Sequence, residues 1–198
     1  MRYYFIDTLG ELEKRYCILL SPPEGLGLSY YRMAKGKRIS DQYPSDARIY
    51  MSEKQPGIKV PSIVGNTNNY LIASKPANDE IVAHCRGVDI EHLPVTIYNH
   101  KKRPHPDEFF IINPIGVRDC LDRNSSVIEV LDKPGDSYHG AIVGVDRFVL
   151  ATQKLAGAPS LFRIHEDPNK YVIDERLADA LRARGLTNFV LTEIEQSS

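Results

Sequence analysis

The sequence predicts an α+β fold: a mainly antiparallel sheet with a few short helices, one of them near the C-terminus. Three observations carry this prediction. Short runs rich in aromatic and β-branched residues recur along the chain, bounded by Gly, Pro, Asn and Asp, as strands joined by turns are. The spacing of the central runs predicts consecutive antiparallel strands. Only two segments place apolar residues at helical spacing with capping residues at their ends. The hydrophobic fraction, 42%, and the length, 198 residues, suffice for one core without disulfide or metal. The chain is read as a single domain over residues 1–198.

Residues 3–6 and 16–20 are expected as strands, and Ser21-Pro22-Pro23-Glu24-Gly25 ends the second. Residues 35–69 hold Pro44, Pro56-Gly57, Pro61 and Gly65-Asn66, so an ordered loop with little regular structure is expected there. Such a loop is a natural place for a site or partner surface. Residues 70–73 read as a strand. The helix after it has Ser74 or Asn78 as cap, with Asp79 and Glu80 suited to its positive end. Ile81, Val82 and Cys85 are expected on its buried face, and Gly87 at its end. Further strands are expected at 93–98, 109–113, 126–131 and 141–150.

The clearest element is a helix over about residues 175–184. Asp174 caps it, and Leu177, Ala178 and Leu181 form its buried stripe. Arg182 and Arg184 stand where the helix dipole favours cations. Gly185 occupies the left-handed position after the last turn, with Leu186 returning onto Leu181. Residues 188–194 are read as a final strand. No internal repeat is visible.

Composition narrows the function classes. The formal net charge of -1 argues against a dedicated nucleic-acid binder. Three widely spaced cysteines, Cys17, Cys85 and Cys120, make no disulfide framework and read as buried thiols in a reducing compartment. The N-terminus turns polar too soon for a signal peptide, and no window is long and apolar enough to cross a membrane. A cytoplasmic location and no membrane partner are expected.

Candidate chemistry is sparse. Asp119-Cys120-Leu121-Asp122 places a thiol among carboxylates, which oppose thiolate formation, so a buried cysteine beside a turn-capping aspartate is expected. Of the six histidines, only His100 and His105 approach a metal-ligand spacing. They flank the cations Lys101, Lys102 and Arg103, so no metal site is expected. That basic segment, closed by Pro104 and Pro106, reads as a solvated hairpin loop that could also touch an acidic partner. No phosphate-binding, dinucleotide or nucleophile-elbow motif is present. The expectation is no catalytic residue and no cofactor. The alternatives are a small enzyme using Cys120 with a histidine brought near by folding, and a nucleic-acid accessory module built on the basic loop.

Three ordered blocks carry a family likeness. The first runs from Tyr31-Arg32-Met33 through Pro44, Met51, Pro56-Gly57-Ile58-Lys59-Val60-Pro61 and Asn66-Thr67-Asn68. The second holds Glu91-His92-Leu93-Pro94-Val95-Thr96-Ile97, Asn99-His100-Lys101, Phe110-Ile111-Ile112-Asn113-Pro114 and Asp119-Cys120-Leu121-Asp122. The third is Leu161-Phe162-Arg163, Leu177-Ala178-Asp179-Ala180-Leu181 and Gly185-Leu186-Thr187. Over roughly residues 30–192 the chain resembles a family of bacterial immunity proteins of polymorphic toxin systems. The resemblance implies a non-enzymatic antitoxin whose partner is a cognate toxin; it transfers no contact residues. From side-chain type and exposure, the toxin surface is expected at Tyr30, Tyr31, Arg32, Tyr43, Arg48 and Tyr50. The sequence sets no oligomeric state.

Overall fold

The computed structural model describes residues 1–135 and 137–197. Its elements begin with β1 (Tyr3–Ile6), β2 (Ile18–Leu19), α1 (Ser29–Ala34), β3 (Arg48–Tyr50), β4 (Gly65–Asn66), β5 (Leu71–Ser74) and α2 (Lys75–His84). They continue with β6 (Ile90–Tyr98), β7 (Phe109–Pro114), β8 (Val127–Val130), β9 (Ile142–Arg147) and β10 (Val149–Ala151). The last are β11 (Leu161–Arg163), β12 (Tyr171–Asp174), α3 (Glu175–Ala183), β13 (Leu191–Glu193) and β14 (Glu195–Ser197). The architecture is α+β, as predicted.

Two four-stranded sheets form the frame, in the orders β11-β12-β1-β13 and β3-β6-β7-β5. Every neighbouring pair is antiparallel except β3 with β6. Strand alternation sorts the side chains into three layers. Tyr4, Ile6, Leu71, Ala73, Ile112, Leu161 and Ile173 pack in the middle layer, together with the buried faces of α2 and α3. The opposite faces of the same strands build the outer layers. Ile72, Ile111 and Ile97 lie under the segment from Cys17 to Met51, and Tyr3, Val172 and Phe162 lie under Cys120, Leu150 and Leu155.

Both longer helices continue directly from a strand. Asp174 caps α3 by accepting the Leu177 N–H at 2.9 Å, and Leu177, Ala178 and Leu181 are buried, as predicted. Gly185 has φ +62°. At α2 the outcome is mixed. Ser74 stands at the cap without a side-chain hydrogen bond, and Pro76 sits in the first turn, where its missing N–H costs nothing. Ile81 and Cys85 are buried, but Val82 is 46% exposed, because it faces away from the middle layer. Asp79 pairs with Lys75 at 2.9 Å, and Glu80 reaches Arg184, the residue that ends α3, instead of its own helix end.

The central strands do not form one antiparallel series. β6 and β7 pair with each other, whereas β8 and β9 form a separate two-stranded ribbon. The run at 141–150 breaks at Phe148: β9 turns to β8, and β10 pairs in parallel with β14. The expected final strand is shorter, and β14 follows it. The segment 35–69 is mostly irregular, but β3 and β4 are cut from it, and α1 precedes it.

Candidate partner-binding surface

The first exposed group sits on α1. This single-turn helix buries Met33 and Ala34 and turns Tyr30, Tyr31 and Arg32 outward. The Tyr30 and Tyr31 rings meet edge to face, 6.0 Å apart, beside Leu28, which is 78% exposed. The helix is pinned from below. The buried Tyr70 hydroxyl donates to the Tyr30 carbonyl at 2.9 Å. The backbone beneath the two exposed rings is thus anchored to the core.

The second group lies on the edge pair β3–β6. The parallel register sets Tyr50 opposite Tyr98, with ring centroids 5.2 Å apart. The Arg48 guanidinium stands 6.0 Å from the Tyr98 centroid and pairs with Asp46 at 2.8 Å. Proximity to Tyr98 and then to Asp46 holds Arg48 above its ordinary pKa. The Tyr50 hydroxyl donates to Glu24 at 3.3 Å. Local desolvation, then the Glu24 carboxylate, raises that hydroxyl. The Glu24 N–H donates to the Arg48 carbonyl at 2.8 Å, so the segment leading to Leu28 is laid against β3.

Tyr43 sits differently. Its ring packs against the outer core layer, its hydroxyl donates to the Pro94 carbonyl at 2.9 Å, and burial raises its pKa. The basic segment is the tip of the β6–β7 hairpin. Asn99 Oδ1 accepts the Lys101 and Arg103 N–H groups at 2.9 and 3.1 Å, and Lys102 takes φ +55°. His100 Nε2 donates to the Ser52 carbonyl at 3.0 Å, which seats the tip beside Tyr50.

Cys120 is fully buried. Burial first, then the Glu166 carboxylate, pushes its thiol up to about 12. Asp122 caps a turn, accepting the N–H groups of Asn124 and Ser125 at 3.0 and 3.2 Å, as expected from the sequence. Asp119 pairs with Lys154 at 2.9 Å, and the lysine holds its carboxyl below the usual range. The arrangement is the reverse of one that activates a cysteine. Among the described residues no group of three or more His, Cys, Asp or Glu is placed to hold a metal ion.

The family model described as Immunity protein family (Imm11) matches residues 14–196. The chain belongs to this family. The match extends the sequence likeness at both ends and takes in every strand of the two main sheets except β1. No curated protein matches the chain significantly. Among the described residues, no helix of this Imm11 protein is long and apolar enough to cross a membrane.

Sequence reading did not single out three neighbours of these groups in this Imm11 protein: the exposed Glu24 and Leu28 and the half-buried Tyr98. Tyr98 was accessible to it, since alternation along β6 turns Leu93, Val95 and Ile97 inward and Tyr98 outward. Leu28 and Glu24 carry no such signal. Leu28 adjoins Tyr30 in sequence as the residue capping α1, and only the path of the loop brings Glu24 to Tyr50.

Proposed function

We propose that this chain is a non-catalytic immunity protein that binds a cognate bacterial toxin and neutralises it by occlusion in the cytoplasm of the producing cell. The match to the immunity protein family over residues 14–196 carries this reading. The buried, proton-retaining state of Cys120 supports a non-enzymatic mode of action.

The contact surface in this reading is Tyr30, Tyr31 and Arg32 together with Arg48 and Tyr50. The two groups are joined by the Glu24–Leu28 loop and extended by Tyr98. Aromatic and arginine side chains held in place by their own fold are the usual anchors of a tight interface. Tyr43 supports the surface from beneath. The experiment is calorimetry between the purified chain and the toxin domain encoded in the adjacent reading frame, with survival on co-expression as the cellular readout. The expected result is a one-to-one complex with dissociation constant about nanomolar. Failure to bind or protect removes the reading. Binding that survives alanine at Tyr30, Tyr31, Arg48 and Tyr50 moves the surface elsewhere.

A further inference from the structure

A cleft of about 650 Å³ opens between the outer face of β1, the loops at Asn69 and Asp167, and β9. Its floor includes the rings of Phe5 and Phe148, packed edge to face with centroids 4.9 Å apart. One wall belongs to the β8–β9 ribbon. That ribbon pairs with no other strand among the described residues and leaves Val127, Val130 and Val143 about half exposed. An unpaired, apolar two-stranded edge beside an aromatic recess has the mixed character of an interface core.

Charge identifies the occupant. Three carboxylates line the cleft, Asp7, Asp146 and Asp167, against one ammonium, Lys170. Asp7 and Asp167 spend oxygens on N–H groups of their own loops, from Leu9 at 2.7 Å and Asn169 at 3.2 Å. The Asp146 carboxylate makes no hydrogen bond or ion pair among the described residues. With three carboxylates against one ammonium the lining is formally anionic, whereas the chain as a whole is close to neutral at -1. Lys170 Nζ already stands 5.7 Å from the Phe5 centroid. The Phe5 face is therefore already served by the chain's own cation, which leaves Phe148 and the carboxylates for an incoming one.

We infer that this cleft, with the adjoining ribbon, receives a basic segment of the toxin, seating an arginine or lysine side chain against the Asp146 carboxylate and the Phe148 ring. The inference rests on the toxin-binding reading and names the chemistry of a second contact. An acidic segment would meet like charge there, and a neutral one would leave the carboxylates uncompensated.

The test uses the full chain and three probes. Amide NMR spectra are recorded with a hexa-arginine peptide, with a hexa-glutamate peptide and with magnesium chloride. The arginine peptide is expected to shift Phe5, Asp146, Phe148 and Lys170 selectively, and Asp146→Lys to abolish those shifts. Asp146 is exposed and bonded to nothing described, so the variant keeps the fold, and Asp146→Asn removes the charge without reversing it. With the toxin from the adjacent reading frame, Asp146→Lys is expected to weaken the complex at least about tenfold, chiefly through slower, less salt-sensitive association, because the steering that salt screens is lost. Shifts scattered over the whole surface, an equal response to magnesium, or unchanged toxin affinity in Asp146→Lys would each overturn the inference. In the last case the parent still binds toxin, so the inhibitor reading stands. If the parent binds no toxin, that reading fails, and the peptide titration still decides the cleft.

Discussion

The guanidinium carbon of Arg163 lies 4.0 Å from the centroid of the Tyr171 ring, and its Nη2 donates to the same tyrosine's hydroxyl at 2.6 Å. Arg163 is fully buried. Its other donors go to backbone carbonyls, with Nη1 bonding Ala34 at 2.7 Å and Pro168 at 2.6 Å. Tyr171 passes the connection on, donating to the Asn69 carbonyl and accepting the Leu71 N–H, both at 3.1 Å. Asn113 links this cation to a buried anion: its Oδ1 faces Arg163 at 3.4 Å, and its Nδ2 donates to Glu91 at 2.8 Å. Glu91 in turn holds the Ile39 and Ser40 N–H groups. One buried network thus ties α1 and the loop after it to both main sheets.

Replacing Arg163 with methionine strands those carbonyls without a donor. The expected loss is about 3–5 kcal/mol of stability, the range for breaking a buried charge network. Arg163→Lys should recover only part, since an ammonium cannot reproduce the planar fork. Urea denaturation followed by circular dichroism measures both. A midpoint unchanged in Arg163→Met would mean the network is dispensable.

Two glycines at positive φ should respond differently to substitution. A Cβ on Gly36 would stand 2.8 Å from Arg163 Cδ and 2.9 Å from the Pro114 carbonyl, at φ +68°. A Cβ on Gly185 meets nothing within 4 Å, at φ +62°. Gly185→Ala should therefore cost backbone strain alone, about 1–2 kcal/mol. Gly36→Ala should cost more, because the clash adds to the strain. Thermal unfolding of the pair checks the order, and equal losses would contradict it.

The two helix caps make a matched pair. Asp174 is buried and accepts from Leu177 N at 2.9 Å and Ser160 Oγ at 2.9 Å, whereas Ser74 makes no capping bond. Asp174→Ala should lose about 2 kcal/mol, the upper end for a cap. Ser74→Ala should change stability by less than about 0.5 kcal/mol. Denaturant midpoints decide; a large effect at Ser74 would place a capping bond there.

The cysteines set an alkaline limit. Burial pushes Cys17 up to about 11, and Cys85 and Cys120 up to about 12, from an ordinary value of 9.0. Above pH 9 the unfolded chain sheds thiol protons that the folded chain keeps. Unfolding then releases protons, so stability is fully present below pH 9 and falls as pH rises toward about 11–12. Unfolding midpoints between pH 8 and 11 should decline, and less steeply in Cys120→Ala. That variant should lose about 1 kcal/mol or more at neutral pH and still protect against the toxin. Lost protection with an intact fold would bring back a catalytic role for the thiol.

Local chemistry explains which elements the sequence determined by itself. For α3, the Asp174 cap, the Leu177, Ala178 and Leu181 stripe and Gly185 all lie within a few residues of one another, so one stretch of chain states the whole element. The same holds for β1, for the turn capped by Asp122 and for the buried state of Cys120. Tertiary structure decided everything that depended on a distant partner. Residues 141–150 read as one strand, yet β9 and β10 serve different neighbours, because strand pairing is a non-local choice. Tyr43 resembled Tyr50 by type, and only the fold gave them different partners: Tyr43 packs on the outer core layer and donates to the Pro94 carbonyl, whereas Tyr50 meets Tyr98 and Glu24. Arg163, among the most polar of side chains, is buried because carbonyls from three separate segments converge on it. Burying a cation is favourable only where its donors are satisfied, and those acceptors exist only once the chain has folded.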